Sequence, residues 1–485
     1  MLSDHYFGDV EAIDEGRNHS SYFHKTFVLP NSFSISSLNN NRKFIVVGRK
    51  GAGKTAIQFH LASQLESSGY LTHFFSFYND LKPTDYNQAA AGQKIDLLGF
   101  GNSSNIFLNY DFRDLWQRTF FIKMAETLRA NDFESKFVRF ALGDRSRLSS
   151  IFEGILRSAT VKVTAEMKMI SAEFDFDLSA FTNDGIPLST FVHVCRELFL
   201  REHQDHRLYL FVDELVFSKL DAKDDEVRVR AAMVRDVFRT ARDLNNFFVQ
   251  NDLDVHVICS VRPEIRDLIN DLDSEIGKIF DGKTVELSWD MREGDDSLLF
   301  LLLKQKVIHS KLGEVIDFSP FTDEVLNFGS NSVSLEDFIR TNTWSRPRDI
   351  VQLLNSIADK NQNSDRIGIE EIKSALNEYG RRSFVEIVEE ISVRHGGMIA
   401  LNLRKSVNQS HYREFSEFER KVLNVFSGID RASLVEDLFQ YGVIGNYDDR
   451  FSRRRYYWAH RGEEFFKKSL GVSIHKGLWN YFNIR

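Results

Sequence analysis

Residues 48–55 read Gly-Arg-Lys-Gly-Ala-Gly-Lys-Thr, a complete G-x-x-x-x-G-K-[ST] pattern. The stretch 43–47 before it, Lys-Phe-Ile-Val-Val, is typical of a short buried parallel strand. The stretch 56–62 after it is amphipathic and predicts a helix. A glycine-rich loop between a strand and a helix N-terminus can wrap its backbone N–H groups around a phosphate chain. The sequence therefore predicts an α/β fold with a phosphate-binding loop at this point.

Each residue type in this loop has an expected role. Gly48, Gly51 and Gly53 let the backbone approach the phosphates closely. Lys54 is expected to reach the β- and γ-phosphates, and the Thr55 hydroxyl to hold Mg²⁺. ATP is the default nucleotide, although the base preference stays open. The expected nucleotide contacts are Gly48, Arg49, Lys50, Gly51, Ala52, Gly53, Lys54, Thr55 and Ala56.

Composition indicates a globular protein of several domains. The chain has 485 residues, of which 42% are hydrophobic, and its 43 phenylalanines supply material for large cores. The two cysteines, Cys195 and Cys259, lack metal-ligand spacing, so we expect reduced core residues and a cytoplasmic location. No stretch approaches 18 uninterrupted apolar residues, so no transmembrane helix or membrane partner is expected. The net charge of −8 gives no overall attraction to nucleic acid.

Strand-like runs after the loop alternate with helical patterns, which favours an α/β core over residues 1–290. The predicted strands cover 71–77, 207–212, 255–259 and 284–287. The polar segment at about 84–110 is interpreted as an inserted loop. The segment at about 159–177 alternates with period two and predicts an inserted β-hairpin, either a decoration or an edge that recruits a partner.

The second half of a catalytic site is predicted at the end of the third strand. The apolar run 207–212 is followed directly by Asp213 and Glu214, which would place both carboxylates at the ligand-binding edge of the sheet. Asp213 is expected to hold Mg²⁺ through water, and Glu214 to activate the attacking water. About 160 residues separate this pair from the glycine-rich loop, which the two insertions would explain.

Three further residues are candidates for contact with the phosphates. Ser260 and Arg262 end the next strand and would face the same edge. Arg348 lies at the start of an apolar helix within Arg346-Pro347-Arg348-Asp349, where it could aim a cation at the phosphates; Arg346 is its alternate. An ordinary polar strand end and an ordinary solvated helix start are the competing interpretations.

The C-terminal part is predicted to form two modules, a helical lid over residues 291–400 and a winged-helix-like domain over 410–485. In the latter, two short amphipathic helices precede a turn and a basic, aromatic stretch at 453–459, with the wing near 446–455. The arginines in and beside this stretch could bind phosphates while the aromatics stack on bases. Acidic neighbours dilute the patch, so protein docking and packing remain alternatives to DNA contact. The arginines are Arg450, Arg453, Arg454, Arg455 and Arg461.

These motifs together resemble those of the AAA+ and STAND-type P-loop ATPases, within the ASCE group. The resemblance covers residues 30–380 and implies a sheet in which the loop strand is flanked by the Asp-Glu and sensor strands, followed by a helical lid. The loop and the Arg-Pro-Arg-Asp segment are similar to those of bacterial ATPases that often accompany phage-defence or signalling genes. Two features depart from the pattern: no arginine finger stands out among Arg228 to Arg242, and Ser345 occupies an expected glycine position.

Two functions follow from the resemblance. The first is an ATP-hydrolysing switch that couples nucleotide state to a protein partner or effector, with self-association left open. The second is a DNA-binding ATPase resembling origin-recognition proteins, which would contact DNA through Arg453 to Arg455. A small-molecule kinase and a scaffold that only binds nucleotide are further alternatives, which the Asp213–Glu214 pair disfavours.

Overall fold

The computed structural model describes most of the chain. The described ranges are 1–30, 33–38, 42–76, 111–143, 188–203, 205–215, 224–289, 297–328, 331–396, 398–451 and 454–484. The insertions expected at about 84–110 and 159–177 both lie outside these ranges.

A five-stranded parallel sheet forms the centre of the N-terminal part, so the predicted α/β fold is confirmed at this level. The spatial order of its strands is β2-β3-β4-β1-β5. All five strand positions agree with the sequence-based expectation to within a few residues. The strands are β1 (Ile45–Val47), β2 (Leu71–Ser76), β3 (Leu208–Leu215), β4 (Val255–Val261) and β5 (Thr284–Glu286).

The strand order corrects one expectation from the resemblance. The loop strand β1 pairs with β4 and β5, not with β3, the strand that carries Asp213. β4, with Ser260, therefore lies between the loop strand and the Asp213 strand. Residues 45–47 and 255–261 are buried throughout, as expected for strands covered on both faces. Side chains from two neighbouring strands thus meet beside the loop.

Helices pack on both faces of this sheet. Because successive side chains of a strand point to opposite faces, Ile45 and Val47 join one hydrophobic cluster and Val46 the other. The same alternation holds in β3, where Leu210 faces the first cluster and Phe211 the second. The described helices of this part are α1 (Ala12–Asn18), α2 (Ser20–Thr26), α3 (Ile35–Leu38), α4 (Lys54–Ser67), α5 (Arg113–Ala130), α6 (Lys136–Ala141), α7 (Leu188–Glu202), α8 (Asp224–Gln250), α9 (Pro263–Leu272) and α10 (Ser274–Lys283).

The C-terminal part is mainly helical up to residue 406. One feature differs from the expectation for the lid: β6 (Val325–Phe328) and β7 (Asn331–Ser334) form an antiparallel hairpin at the position expected to be helical. In β6 the exposed Val325 and Asn327 alternate with the less exposed Leu326 and Phe328, which suits a strand better than a helix. The helices are α11 (Leu298–Ile308), α12 (Phe318–Phe321), α13 (Leu335–Asn342), α14 (Pro347–Lys360), α15 (Ile369–His395) and α16 (Ile399–Ser406).

The last segment combines two helices with a small antiparallel sheet of order β10-β9-β11-β8. Residues from 299 to 484 share one hydrophobic cluster, so the helical part and the last segment pack through a continuous core. Trp344 and Leu478, for example, both belong to it. The elements are β8 (His411–Tyr412), α17 (Phe415–Lys421), α18 (Arg431–Gln440), β9 (Ile444–Asp448), β10 (Arg455–Tyr457) and β11 (Gly471–Ile474).

Candidate functional site

The glycine-rich loop (residues 48–55) lies at the carboxyl edge of the sheet, between the ends of β4 and β5. Its backbone adopts left-handed conformations at Gly51 (φ +77°) and Gly53 (φ +91°), which favour glycine over other residues. α4 begins at Lys54, so the loop leads directly into a helix N-terminus. A cleft of about 670 Å³ opens beside it and is lined by loop residues, the ends of β3 and β4, and the N-terminal segment. Open α/β sheets bind ligands at this edge.

Neighbouring elements fix the loop in place. The Gly48 N–H donates to the carbonyl of Val261 over 3.2 Å, and the Trp289 indole N–H donates to the carbonyl of Ala52 over 2.8 Å. A Cβ added at Gly51 would lie 3.0 Å from the Cβ of Arg348, which leaves little room for a larger residue. These contacts therefore restrain the backbone of the loop.

Lys54 folds back onto its own loop. Its ammonium donates to the carbonyls of Gly48 over 2.7 Å and Arg49 over 3.2 Å. Burial lowers the pKa of Lys54 to about 8, because the charged form loses water, although the nearby Asp213 carboxylate opposes this shift. Lys54 lines the cleft, and an anion there would satisfy its charge better than two carbonyls.

Asp213 joins three elements of the site. Its two carboxylate oxygens accept hydrogen bonds from the Thr55 hydroxyl of α4 and the Ser260 hydroxyl of β4. Asp213 is buried, and all three side chains line the cleft. The structure thus brings together the two predicted metal ligands and one predicted phosphate contact. Glu214 lies in β3, but its side chain is outside the part of the chain that is described.

Arg262 and Arg348 also line the cleft, as expected, but both are engaged by acidic side chains. Arg262 forms an ion pair with Glu390 over 3.4 Å, and Arg348 lies 3.7 Å from Glu386. Both glutamates belong to α15. No sequence motif indicated them, because their distance from the loop along the chain exceeds 300 residues.

Arg346, the alternate candidate, has a different place. Its guanidinium is paired with the buried carboxylate of Asp349 over 2.7 Å and also donates to the carbonyl of Lys50 over 3.3 Å. The Asp349 carboxylate caps the start of α14 by accepting hydrogen bonds from the backbone N–H groups of Trp344 and Arg346. Arg346 therefore supports the loop from behind, whereas Arg348 reaches the cleft.

Arg49 connects the loop to the last segment of the chain. Its guanidinium donates to the carbonyls of Gln440 over 3.3 Å and Ala459 over 3.2 Å. Gln440 is the last residue of α18, where helix carbonyls lack intrahelical partners and the helix dipole attracts a cation. Arg49 was expected to contact nucleotide, but the geometry turns it toward the C-terminal segment.

The N-terminal segment supplies the remaining wall of the cleft, which no sequence motif indicated. Residues 9–15 of this wall approach α11, where the carboxylate of Glu15 forms a buried ion pair with Lys306. Phe27 and Trp289 add aromatic surface to the cleft. The N-terminal segment therefore adds acidic and apolar side chains to a cleft whose loop side carries Lys50 and Lys54.

The residues at the loop fit a phosphate chain with Mg²⁺. The glycine-rich turn offers backbone N–H groups, Lys54 offers a cation, and a helix begins beneath them. The Thr55 hydroxyl and the Asp213 carboxylate are oxygen ligands of the kind that Mg²⁺ prefers. Their hydrogen bond also brings the two groups close enough to share one ion.

The basic stretch of the last segment lies on the β9–β10 hairpin. Arg455 is exposed, and its guanidinium lies 3.9 Å from the centre of the Phe451 ring. Arg450 is paired with Asp448, and Arg461 is turned inward, donating to the carbonyl of Arg340. Arg453 is outside the described residues. Among the arginines that the structure describes here, Arg450, Arg454 and Arg455 are thus exposed, whereas Arg461 is not available at the surface of the hairpin.

The parallel sheet, with its loop between strand and helix, is consistent with a P-loop fold. Residues 297–388 match the family model of the FunZ-associated C-terminal helical domain. The matched range begins before α11 and ends within α15, so it contains Arg348 and Glu386 but not the glycine-rich loop. No curated protein matches the chain.

Among the helices that the structure describes, none is both long and apolar enough to cross a membrane.

Proposed function

We propose that this protein is a switch that binds and hydrolyses Mg-ATP. The observation that carries the proposal is the convergence of Lys54, Thr55, Asp213 and Ser260 at the carboxyl edge of the sheet, beside the glycine-rich loop. Lys54 would move from the loop carbonyls to the β- and γ-phosphates. Asp213 would hold the ion that Thr55 also binds, with Ser260 fixing the orientation of the carboxylate.

Bound Mg²⁺ would neutralise the charge that develops on the phosphates during hydrolysis. In the proposed reaction Glu214 accepts a proton from water, whose oxygen attacks the γ-phosphorus while the bond to the β-phosphate oxygen breaks. Arg262 and Arg348 would stabilise the charge of the transition state, provided that they leave their present acidic partners. The products are ADP and inorganic phosphate.

The switch would act through contacts between the loop and the rest of the chain. Arg49 binds the C-terminal segment, while the backbone N–H of Arg348 donates to the carbonyl of Gly51 over 3.3 Å. A ligand that rearranges the loop would therefore disturb both the helical part and the C-terminal segment. This coupling supports a role in which nucleotide state controls engagement of a protein partner.

The system in which the switch acts is proposed from the comparison. The match to the FunZ-associated domain hints at a defence-related system, and the resemblance of the loop to bacterial defence and signalling ATPases agrees with it.

A direct test of the proposed nucleotide site is to compare nucleotide binding by the wild type and by Lys54→Ala. The proposal expects binding of Mg-ATP that the variant loses; equal affinities would contradict it.

A second candidate function is DNA binding through the winged-helix-like segment. It is favoured by Arg455 and Phe451, whose stacked side chains form an outward-facing basic and aromatic surface on the β9–β10 hairpin. Replacement of Arg453 to Arg455 by alanine should then weaken DNA binding and its salt dependence. An unchanged affinity would argue for protein docking instead.

A further inference from the structure

One carboxylate of α15 lies between two cations of the cleft. Glu390 is 3.7 Å from the ammonium of Lys50, in the glycine-rich loop, and 3.4 Å from the guanidinium of Arg262, after β4. Both cations line the cleft next to Lys54. Lys50 and Arg262, which could both contact an incoming phosphate, are thus paired with the same acidic side chain.

This contact is shielded from water. The Glu390 side chain is only 11% exposed, whereas its neighbour Glu389, 3.9 Å from Lys50, is 69% exposed. Ion pairs with little exposure are screened less by water and salt than exposed ones. Glu390 should therefore affect the cleft strongly and Glu389 weakly, although both lie on the same helix and can approach the same lysine.

A second carboxyl group lies near the same arginine. Glu264, at the start of α9, lies 3.9 Å from Arg262, and burial together with the nearby Glu390 raises the pKa of Glu264. Arg262 therefore has two acidic neighbours within the protein, and one of them, Glu390, also pairs with Lys50. A ligand with more negative charge must displace Glu390 from both cations, since close like charges repel.

We propose that Glu390 sets the preference between nucleoside triphosphate and diphosphate by competing with the terminal phosphate for Lys50 and Arg262. The inference rests on the proposed nucleotide site and adds a residue that the sequence motifs do not contain. A diphosphate lacks the group that competes, so Glu390 penalises the triphosphate selectively. Glu390 also lies beyond residue 388, where the FunZ-associated match ends.

The test is isothermal titration calorimetry of the protein in the presence of Mg²⁺. One titration uses ADP, and the other uses a non-hydrolysable ATP analogue. Glu390→Gln should raise affinity for the analogue about tenfold, since one close like charge is removed, while affinity for ADP changes less than about twofold. Glu389→Gln is the matched control and should leave both affinities unchanged. Glu390→Asp, which keeps the charge, should keep a ratio near that of the wild type.

The outcomes separate this inference from the proposed function. If the wild type binds both nucleotides, Lys54→Ala binds neither and Glu390→Gln leaves their ratio unchanged, only the role of Glu390 is overturned. Equal changes for both nucleotides, or weaker binding of the analogue, would overturn it as well. If the wild type binds neither nucleotide, the proposed function fails and takes this inference with it. Thermal unfolding without nucleotide checks that each variant is folded.

Discussion

The Ser260 hydroxyl of β4 donates a hydrogen bond to the Asp213 carboxylate of β3, while the other oxygen of that carboxylate accepts from Thr55 of α4. Two adjacent strands and the helix after the glycine-rich loop therefore meet at one buried carboxylate. The strand order explains the meeting, because β4 lies between β3 and the loop strand β1. In this structure Ser260 therefore contacts Asp213. Its hydrogen bond orients the carboxylate that we propose as a ligand of the metal ion.

Asp213→Asn should weaken nucleotide binding mainly when Mg²⁺ is present. The amide keeps the shape of the side chain but removes the charge that would hold the ion, so affinity for Mg-ATP should fall while affinity for ATP without Mg²⁺ changes less. Titration of ATP with and without EDTA measures the difference. The control is Asp254→Asn, because Asp254 precedes β4 at the opposite edge of the sheet. Equal losses with and without Mg²⁺ would contradict the metal role.

Nucleotide affinity should fall as the pH rises above about 8. Burial lowers the pKa of Lys54 to about 8, so above this pH the unliganded protein loses the proton that phosphate binding requires. Affinity should then decrease about tenfold per pH unit, as proton uptake accompanies binding. Lys54→Arg, which stays protonated, should bind with a flat profile over the same range. A wild-type affinity independent of pH from 7 to 10 would exclude this explanation.

The same pKa predicts a change in stability without ligand. Because the folded-state pKa of Lys54 lies below its unfolded value of 10.5, the unfolded chain binds more protons between about pH 8 and 10.5. The charged Lys54 therefore lowers the free energy of unfolding below pH 8. This penalty becomes smaller as the pH rises from about 8 to 10.5. Comparison of thermal midpoints for the wild type and Lys54→Met should show the difference shrinking from pH 8 to 10.

Asp349→Ala should destabilise the fold more than removal of an exposed carboxylate. It would leave the guanidinium of Arg346 buried without its ionic partner, and breaking such a pair costs about 3–5 kcal/mol. Two backbone N–H groups would also lose their acceptor. Asp337→Ala breaks the more exposed pair with Arg340 and should cost about 1 kcal/mol or less. Chemical denaturation of both variants measures this, and similar costs would contradict the account.

Arg49→Ala should loosen the C-terminal segment. The variant loses two charge-assisted hydrogen bonds to the carbonyls of Gln440 and Ala459, each worth about 1.5–3 kcal/mol. Amide hydrogen exchange in peptides covering 440–461 should therefore accelerate about tenfold or more. Arg450→Ala, at an exposed site paired with Asp448, is the control. Unchanged exchange in Arg49→Ala would mean that the loop does not hold this segment.

Local patterns predicted the sheet and most of the site. The spacing of apolar residues, the turn residues and the glycine-rich motif are all properties of residues close together in the chain. The strands and the positions of Lys54, Thr55 and Asp213 could therefore be inferred from them. One of the two expected neighbours of β1, the strand that carries Asp213, was wrong, because strand order depends on packing between segments that are distant in the chain. The hairpin at 325–334 was missed, since the surrounding helical pattern masked its short alternation.

The acidic partners of the site's arginines could not be predicted in this way. Glu386 and Glu390 resemble ordinary solvated residues of a long charged helix, and only tertiary packing brings them to Arg348 and Arg262. Arg49 likewise carries no local sign that it reaches Gln440. Motifs identify groups that contact a ligand directly, whereas groups that restrain those contacts depend on the fold as a whole.

Steady-state ATP hydrolysis by the wild type beside Glu214→Gln tests the central claim most directly. The variant keeps the size of the side chain but cannot accept a proton from the attacking water. The account predicts turnover by the wild type, and a loss of at least about 100-fold in the variant with Mg-ATP binding preserved. Equal turnover by the two proteins, or turnover that survives in Lys54→Ala, would contradict it.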